Sequence, residues 1–136
     1  MTRLFLLAPL LALVVSGCAT TPVPISKAKQ APADRVLAFQ MTGGDKTATL
    51  TVIRDEGFIA IACYYAVHIN QVLAARLDVA EFARFYVEPG EILLRAGRDP
   101  QGKGSCVVDL LDNWAQLNIA TYILPHDSVI LMTVHQ

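Results

Sequence analysis

Residues 58–70 read FIAIACYYAVHIN, and the period of that stretch decides the fold class. Ile59, Ile61, Cys63, Tyr65, Val67 and Ile69 fall on one side of an extended chain, and Ala60, Ala62, Tyr64, Ala66, His68 and Asn70 on the other. The period of two predicts a strand, with Cys63 on the core face and His68 on the wetter one. Asn70 and Gln71 then occupy the place of a two-residue hairpin turn, because Asn tolerates positive φ, and residues 72–77 return as the partner strand.

The same reading extends outward. In residues 47–54, TATLTVIR, Ala48, Leu50 and Val52 alternate with Thr47, Thr49 and Thr51, as in a strand with one buried and one wet face. Gly43, Gly44 and Asp45 mark a turn between it and a short apolar run at 36–40. Asp55 and Glu56, beside Gly57, read as a solvated turn. Downstream, 78–82 forms a brief turn. Residues 82–87 and 92–96 then flank Glu88, Pro89, Gly90 and Glu91, which predicts a second hairpin closed by a type II turn. Residues 97–104, GRDPQGKG, read as a loop, and 114–124 and 128–134 as strands separated by Pro125, His126 and Asp127. Short strands at this spacing predict a mainly β fold, a small antiparallel β-sandwich over residues 35–136.

The start of the chain has a different character. Residues 1–17, MTRLFLLAPLLALVVSG, carry one positive charge at Arg3 and then an apolar run from Leu4 to Val15, the layout of a secretory signal. That run is too short for a bilayer-spanning helix, which needs about 20 residues, and Pro9 would interrupt such a helix. Val15, Ser16, Gly17 and Cys18 resemble the lipobox of bacterial lipoprotein precursors. The resemblance implies thioether lipidation of Cys18, cleavage before it, and two or three acyl chains on the mature residue. One acyl chain binds a membrane only reversibly, so several are needed for a stable anchor. Ala19, rather than Asp, follows the cysteine, which in the enterobacterial pattern implies the outer membrane, facing the periplasm. Residues 18–34 continue as CATTPVPISKAKQAPAD, with three prolines and no hydrophobic period, and read as a lipidated N-terminus and flexible tether.

Composition excludes several function classes. Cleavage before Cys18 leaves 119 of the 136 residues, enough for one domain. Losing Arg3 takes the net charge from −1 to −2 with no long block of either sign, which argues against nucleic-acid binding. With Cys18 lipidated, Cys63 and Cys106 remain in an oxidising compartment where disulfides persist. A bridge would close a loop of roughly 40 residues and contribute about 3–4 kcal/mol; two separate thiols, with Cys63 packed as a small core residue, are the alternative. Two cysteines so far apart fit neither an iron–sulfur cluster nor a Cys-rich zinc site.

Three segments, TLTVIRD (49–55), YYAVHINQVLAARLD (64–78) and FYVEPGEILLRAGRD (85–99), resemble small bacterial lipoproteins whose β domain is similar to PEGA-type modules. The shared pattern is a strand, a hairpin, a strand, and a Glu-Pro-Gly-Glu turn into a further strand. Gln71 stands where such domains usually carry Gly, and the stretch after Cys106 does not match. The resemblance implies a non-enzymatic envelope module and names no ligand or activity; no cofactor or metal is expected.

Candidate chemistry is sparse. His68, His126 and His135 lack the spacing of zinc enzymes, and 97–104 lacks the spacing of a phosphate-binding loop. Tyr64, His68, Arg84 and Tyr86 share outward parity and form a possible binding face for an envelope protein or cell-wall component. The competing reading is a small extracytoplasmic hydrolase or thiol-redox protein using Cys106 as nucleophile.

Overall fold

The computed structural model describes residues 22–56, 63–99, 117–124 and 128–133. Within them the chain forms β1 (Lys29–Gln30), β2 (Ala48–Arg54), β3 (Tyr65–Ile69), β4 (Val72–Leu77), β5 (Glu81–Val87), β6 (Gly90–Arg98), β7 (Leu117–Ile123) and β8 (Ser128–Thr133). These make two four-stranded sheets, ordered β1-β5-β2-β8 and β4-β3-β6-β7. Leu50, Val52 and Phe85 from the first meet Val67, Ile69, Leu77 and Leu94 from the second in one core, so the chain is a mainly β sandwich. Most pairings are antiparallel, but β1 runs parallel to β5 and β8 parallel to β2. Strands that reach their neighbour over a long connection are free of the antiparallel constraint a hairpin imposes.

The β3–β4 hairpin has the expected turn: Ile69 pairs with Val72, and Asn70 and Gln71 have φ of +48° and +70°, as a type I′ turn requires. Asn70 also ties the turn to β6, its backbone N–H donating to Leu93 O and its Oδ1 accepting from Leu93 N–H, both at 2.9 Å. Gln71 has no such bond among those described, and a non-glycine residue is disfavoured in that conformation. Gln71→Gly is therefore expected to raise stability by about 0.5–1 kcal/mol, read as a higher urea midpoint; an unchanged or lower midpoint contradicts this.

Glu88, Pro89, Gly90 and Glu91 do not close a hairpin. β5 belongs to the first sheet and β6 to the second, so the turn is an arch between layers. Phe85 and Val87 on one side and Ile92 and Leu94 on the other all bury inward, and the two strands face each other across the core instead of edge to edge. Gly90 has φ +135°, beyond the type II value of about +80° and in territory only glycine occupies without strain.

The run at 36–40 is not a strand. Val36 makes one bridge to Ala75, and the N–H groups of Leu37 and Ala38 both donate to Ala74 O. Ala74 is the extra residue of a bulge, since Val67 pairs with Ala75 and His68 with Leu73. The segment thus serves a bulged carbonyl and covers the edge of β4.

The expected tether is docked from Val23 onward. Val23 is 4 % exposed and packs with Ile53 and Phe82. Lys29 N–H donates to Ala80 O and Ala31 N–H to Phe82 O, both at 2.8 Å. A 3₁₀ turn, Ala33–Arg35, follows, and Arg35 grips Glu81 through two bonds of 2.7 Å. The folded unit therefore includes residues 23–34, which had been expected to lie outside it. This also corrects the expected wet face of β2: Ile53 is outward but buried, because Val23 with Ile25, Ala28 and Ala80 builds a small second core on the outer surface of the first sheet. The signal residues 1–17, Cys18, residues 58–62, the 100–104 part of the loop, Cys106, Trp114, His126 and His135 lie outside the described residues.

Candidate functional site

The four residues expected to share a binding face are divided between the two layers. His68 lies on β3 in the second sheet, next to Arg95 of β6, and Tyr64 immediately precedes β3. Arg84 and Tyr86 lie on β5 in the first sheet, opposite Thr51 and Thr49 of β2. The shared parity was real but referred to the outer surfaces of different sheets. Tyr64 is half-buried with the Arg35 guanidinium 4.5 Å over its ring, and Tyr64 O accepts from Asp99 N–H at 2.9 Å. Burial pushes the His68 pKa down and the Arg95 charge adds to the fall, against an opposing pull from Asp99. A partly buried ion pair, Arg76 with Asp99, lies close by.

Tyr86 leads to a concave feature. The arch and the Asn70 turn enclose a cleft of about 320 Å³ at one end of the sandwich, with Phe39, Lys46, Asn70, Tyr86, Pro89 and Glu91 in its walls. Tyr86 N–H donates to Phe39 O at 2.8 Å and holds Phe39 at φ +61°. Aromatic faces, an amide, a lysine and carboxylates line it, groups suited to stacking, hydrogen bonding and ion pairing. No family model, curated protein or solved structure matches the chain.

The other end of the sandwich is strongly polar. Arg54 continues the inward parity of Ala48, Leu50 and Val52 and is fully buried. Its guanidinium donates to Cys63 O at 2.5 Å and Leu77 O at 2.9 Å and sits 4.4 Å over the Tyr65 ring. Burial lowers its pKa, opposed by Tyr65, Asp78 and Glu81. Cys63 is buried and disulfide-bonded. Its partner, Cys18 or Cys106 by sequence, lies outside the described residues. Among the described residues no three His, Cys, Asp or Glu side chains gather as a metal site.

Asp55 is 2 % exposed, which corrects its reading as part of a solvated turn; Glu56 is exposed. Asp55 Oδ1 accepts the Val23 N–H at 3.1 Å, so this carboxylate holds the N-terminal segment in place. Burial raises its pKa above the ordinary 3.8, and the Val23 bond opposes the rise. The native state then keeps a proton that the unfolded chain has lost, so this group's contribution to stability falls as pH rises from 3.8 through the raised folded value. Asp55→Asn keeps the acceptor and removes the charge. Its stability relative to wild type is expected to rise between pH 4 and pH 7 in urea titrations; parallel profiles contradict this.

Sequence reasoning missed Arg54 and Asp55. A signal for Arg54 was present, since the period that places Leu50 and Val52 inward places Arg54 inward as well. Nothing local marked Asp55, whose partner is 32 residues away.

Proposed function

We propose that this chain is a membrane-anchored envelope lipoprotein whose β domain holds a partner without catalysing a reaction. The observation that carries the reading is in the sequence: a charged start, a short apolar run and small residues leading to Cys18. The PEGA-like motif pattern and the cleft with its recognition groups support a binding module, and an envelope protein or a cell-wall component is the partner class. The outer membrane, facing the periplasm, is the proposed location.

The disulfide at Cys63 also supports it. With Cys18 carrying lipid, Cys106 is the remaining partner, and pairing removes the free thiol that a hydrolase or redox enzyme would need. The test is incorporation of labelled fatty acid by wild type and by Cys18→Ala. Wild type is expected to take the label and fractionate with membranes, and the variant to do neither. Membrane fractionation of an unlabelled wild type or of the variant would sink the reading.

A further inference from the structure

We infer that the docked segment 22–30 on the outer surface of the first sheet is a membrane-apposed face, held against the anionic headgroups of the bilayer that carries the protein's lipid. The inference rests on the lipid-anchor reading and adds an orientation to it.

The length of chain before the fold sets the geometry. Val23 is already buried and pinned to Asp55, so only four residues, 19–22, separate it from Cys18. At no more than about 3.6 Å per residue, Val23 stays within ~18 Å of the lipid-bearing cysteine. β6 alone spans nine residues, about 26 Å at the usual rise, so the tether is shorter than the sandwich it carries. The end bearing Val23 and Arg54 is therefore held at the headgroups. The arch, the Asn70 turn and the cleft lie at the other end, where a partner in the aqueous space can reach them.

Charge gives the segment a preferred side. Residues 19–33 contain Lys27 and Lys29 and no carboxylate, and both lysines are exposed. The turn that presents them is tied down, Lys27 and Ala28 N–H donating to Pro24 O. Arg84, exposed on the same outer surface, packs its guanidinium 5.1 Å over the Phe82 ring, within the cluster that Val23 joins. Among the described residues the exposed carboxylates in this region are Asp34 and Glu56, so Lys27, Lys29 and Arg84 leave it net positive. Anionic headgroups attract a lysine at the surface by about 1 kcal/mol, roughly fivefold in binding, and the tether supplies the proximity that multiplies such weak contacts.

The test is lysine-acylation footprinting by mass spectrometry on the mature, lipidated protein, first in a nonionic detergent and then in vesicles containing phosphatidylglycerol. Lys27 and Lys29 are expected to react at least fivefold more slowly in the vesicles, while Lys46, in the cleft wall, stays within twofold. Replacing phosphatidylglycerol with phosphatidylcholine is expected to relieve the protection. Unprotected Lys27 and Lys29, protection of Lys46 in their place, or protection indifferent to lipid charge would overturn the orientation. Fatty acid on Cys18 is verified in the same spectra. Its absence would instead overturn the lipoprotein reading, so the two failures are distinguishable.

Discussion

Arg54→Met is expected to destabilise the domain by about 3 kcal/mol. The guanidinium lies inside the sandwich and donates from one nitrogen to the carbonyls of Cys63 and Leu77, which sit just before β3 and at the end of β4. Methionine refills most of the volume but takes a charged donor from two buried acceptors, each worth about 1–3 kcal/mol when a bond is lost. The stacking on Tyr65, worth up to about 2 kcal/mol when dry, goes as well. Release from the cost of burying a charge offsets part of this, which is why the expected value lies below the sum. For a domain of this size it corresponds to more than about 10 °C in Tm. Arg54→Lys keeps the charge but not the planar fork and is expected to fall between the two. A loss under about 1 kcal/mol for Arg54→Met would show that hydrophobic packing alone closes this end of the core.

Reducing the disulfide at Cys63 is the second large effect. If the bond joins Cys106, opening it frees a loop of roughly 40 residues in the unfolded chain, and the chain-entropy argument gives a loss of about 3–4 kcal/mol. The expected result is a lower urea midpoint under reducing conditions, with Cys63→Ala giving the same midpoint with or without reductant. Because the Cys63 carbonyl is itself an Arg54 acceptor, the two perturbations act on one structural unit. Combining Arg54→Met with Cys63→Ala is expected to cost less than the sum of the two, by at least about 0.5 kcal/mol. Strict additivity would separate the guanidinium from the disulfide, and a reductant-insensitive wild type would mean that the bond constrains nothing that unfolding releases.

Both effects fall at the end of the sandwich opposite the cleft. Arg35 joins β5 to β4 there through Glu81 and the Arg76 carbonyl, and Asp55 anchors Val23. That end is rigidified by a disulfide and buried charges, with one positive φ at Ala80, and the cleft end is built from turns, with positive φ at Phe39, Asn70, Gln71 and Gly90. Strained turns on a braced scaffold are the usual distribution of a recognition surface and its support.

How much of this was legible depends on the range of each interaction. The strand character of 47–54 and 65–77 follows from side-chain alternation, a property of the extended backbone itself, and the β3–β4 turn follows from what Asn can do locally. The inward position of Arg54 obeys the same parity, although its charge argued for the surface. Parity could not decide which sheet a strand enters. Tyr86 and His68 point outward equally well from opposite layers, and Glu88 to Glu91 suit an arch as well as a hairpin, because local turn chemistry does not encode the partner of the strand that follows. The docking of Val23 was illegible for a related reason. A proline-rich segment without hydrophobic period looks like tether until the outer surface of Ile53 and Phe82, assembled from two distant strands, offers it somewhere to bury. The sequence by itself thus determined the strand character of 47–54 and 65–77, the turn between β3 and β4 and the signal-like start; only the tertiary structure decided where several strands begin and end, which faces are buried and which meet, where the folded domain begins, and that so short a link remains between it and Cys18.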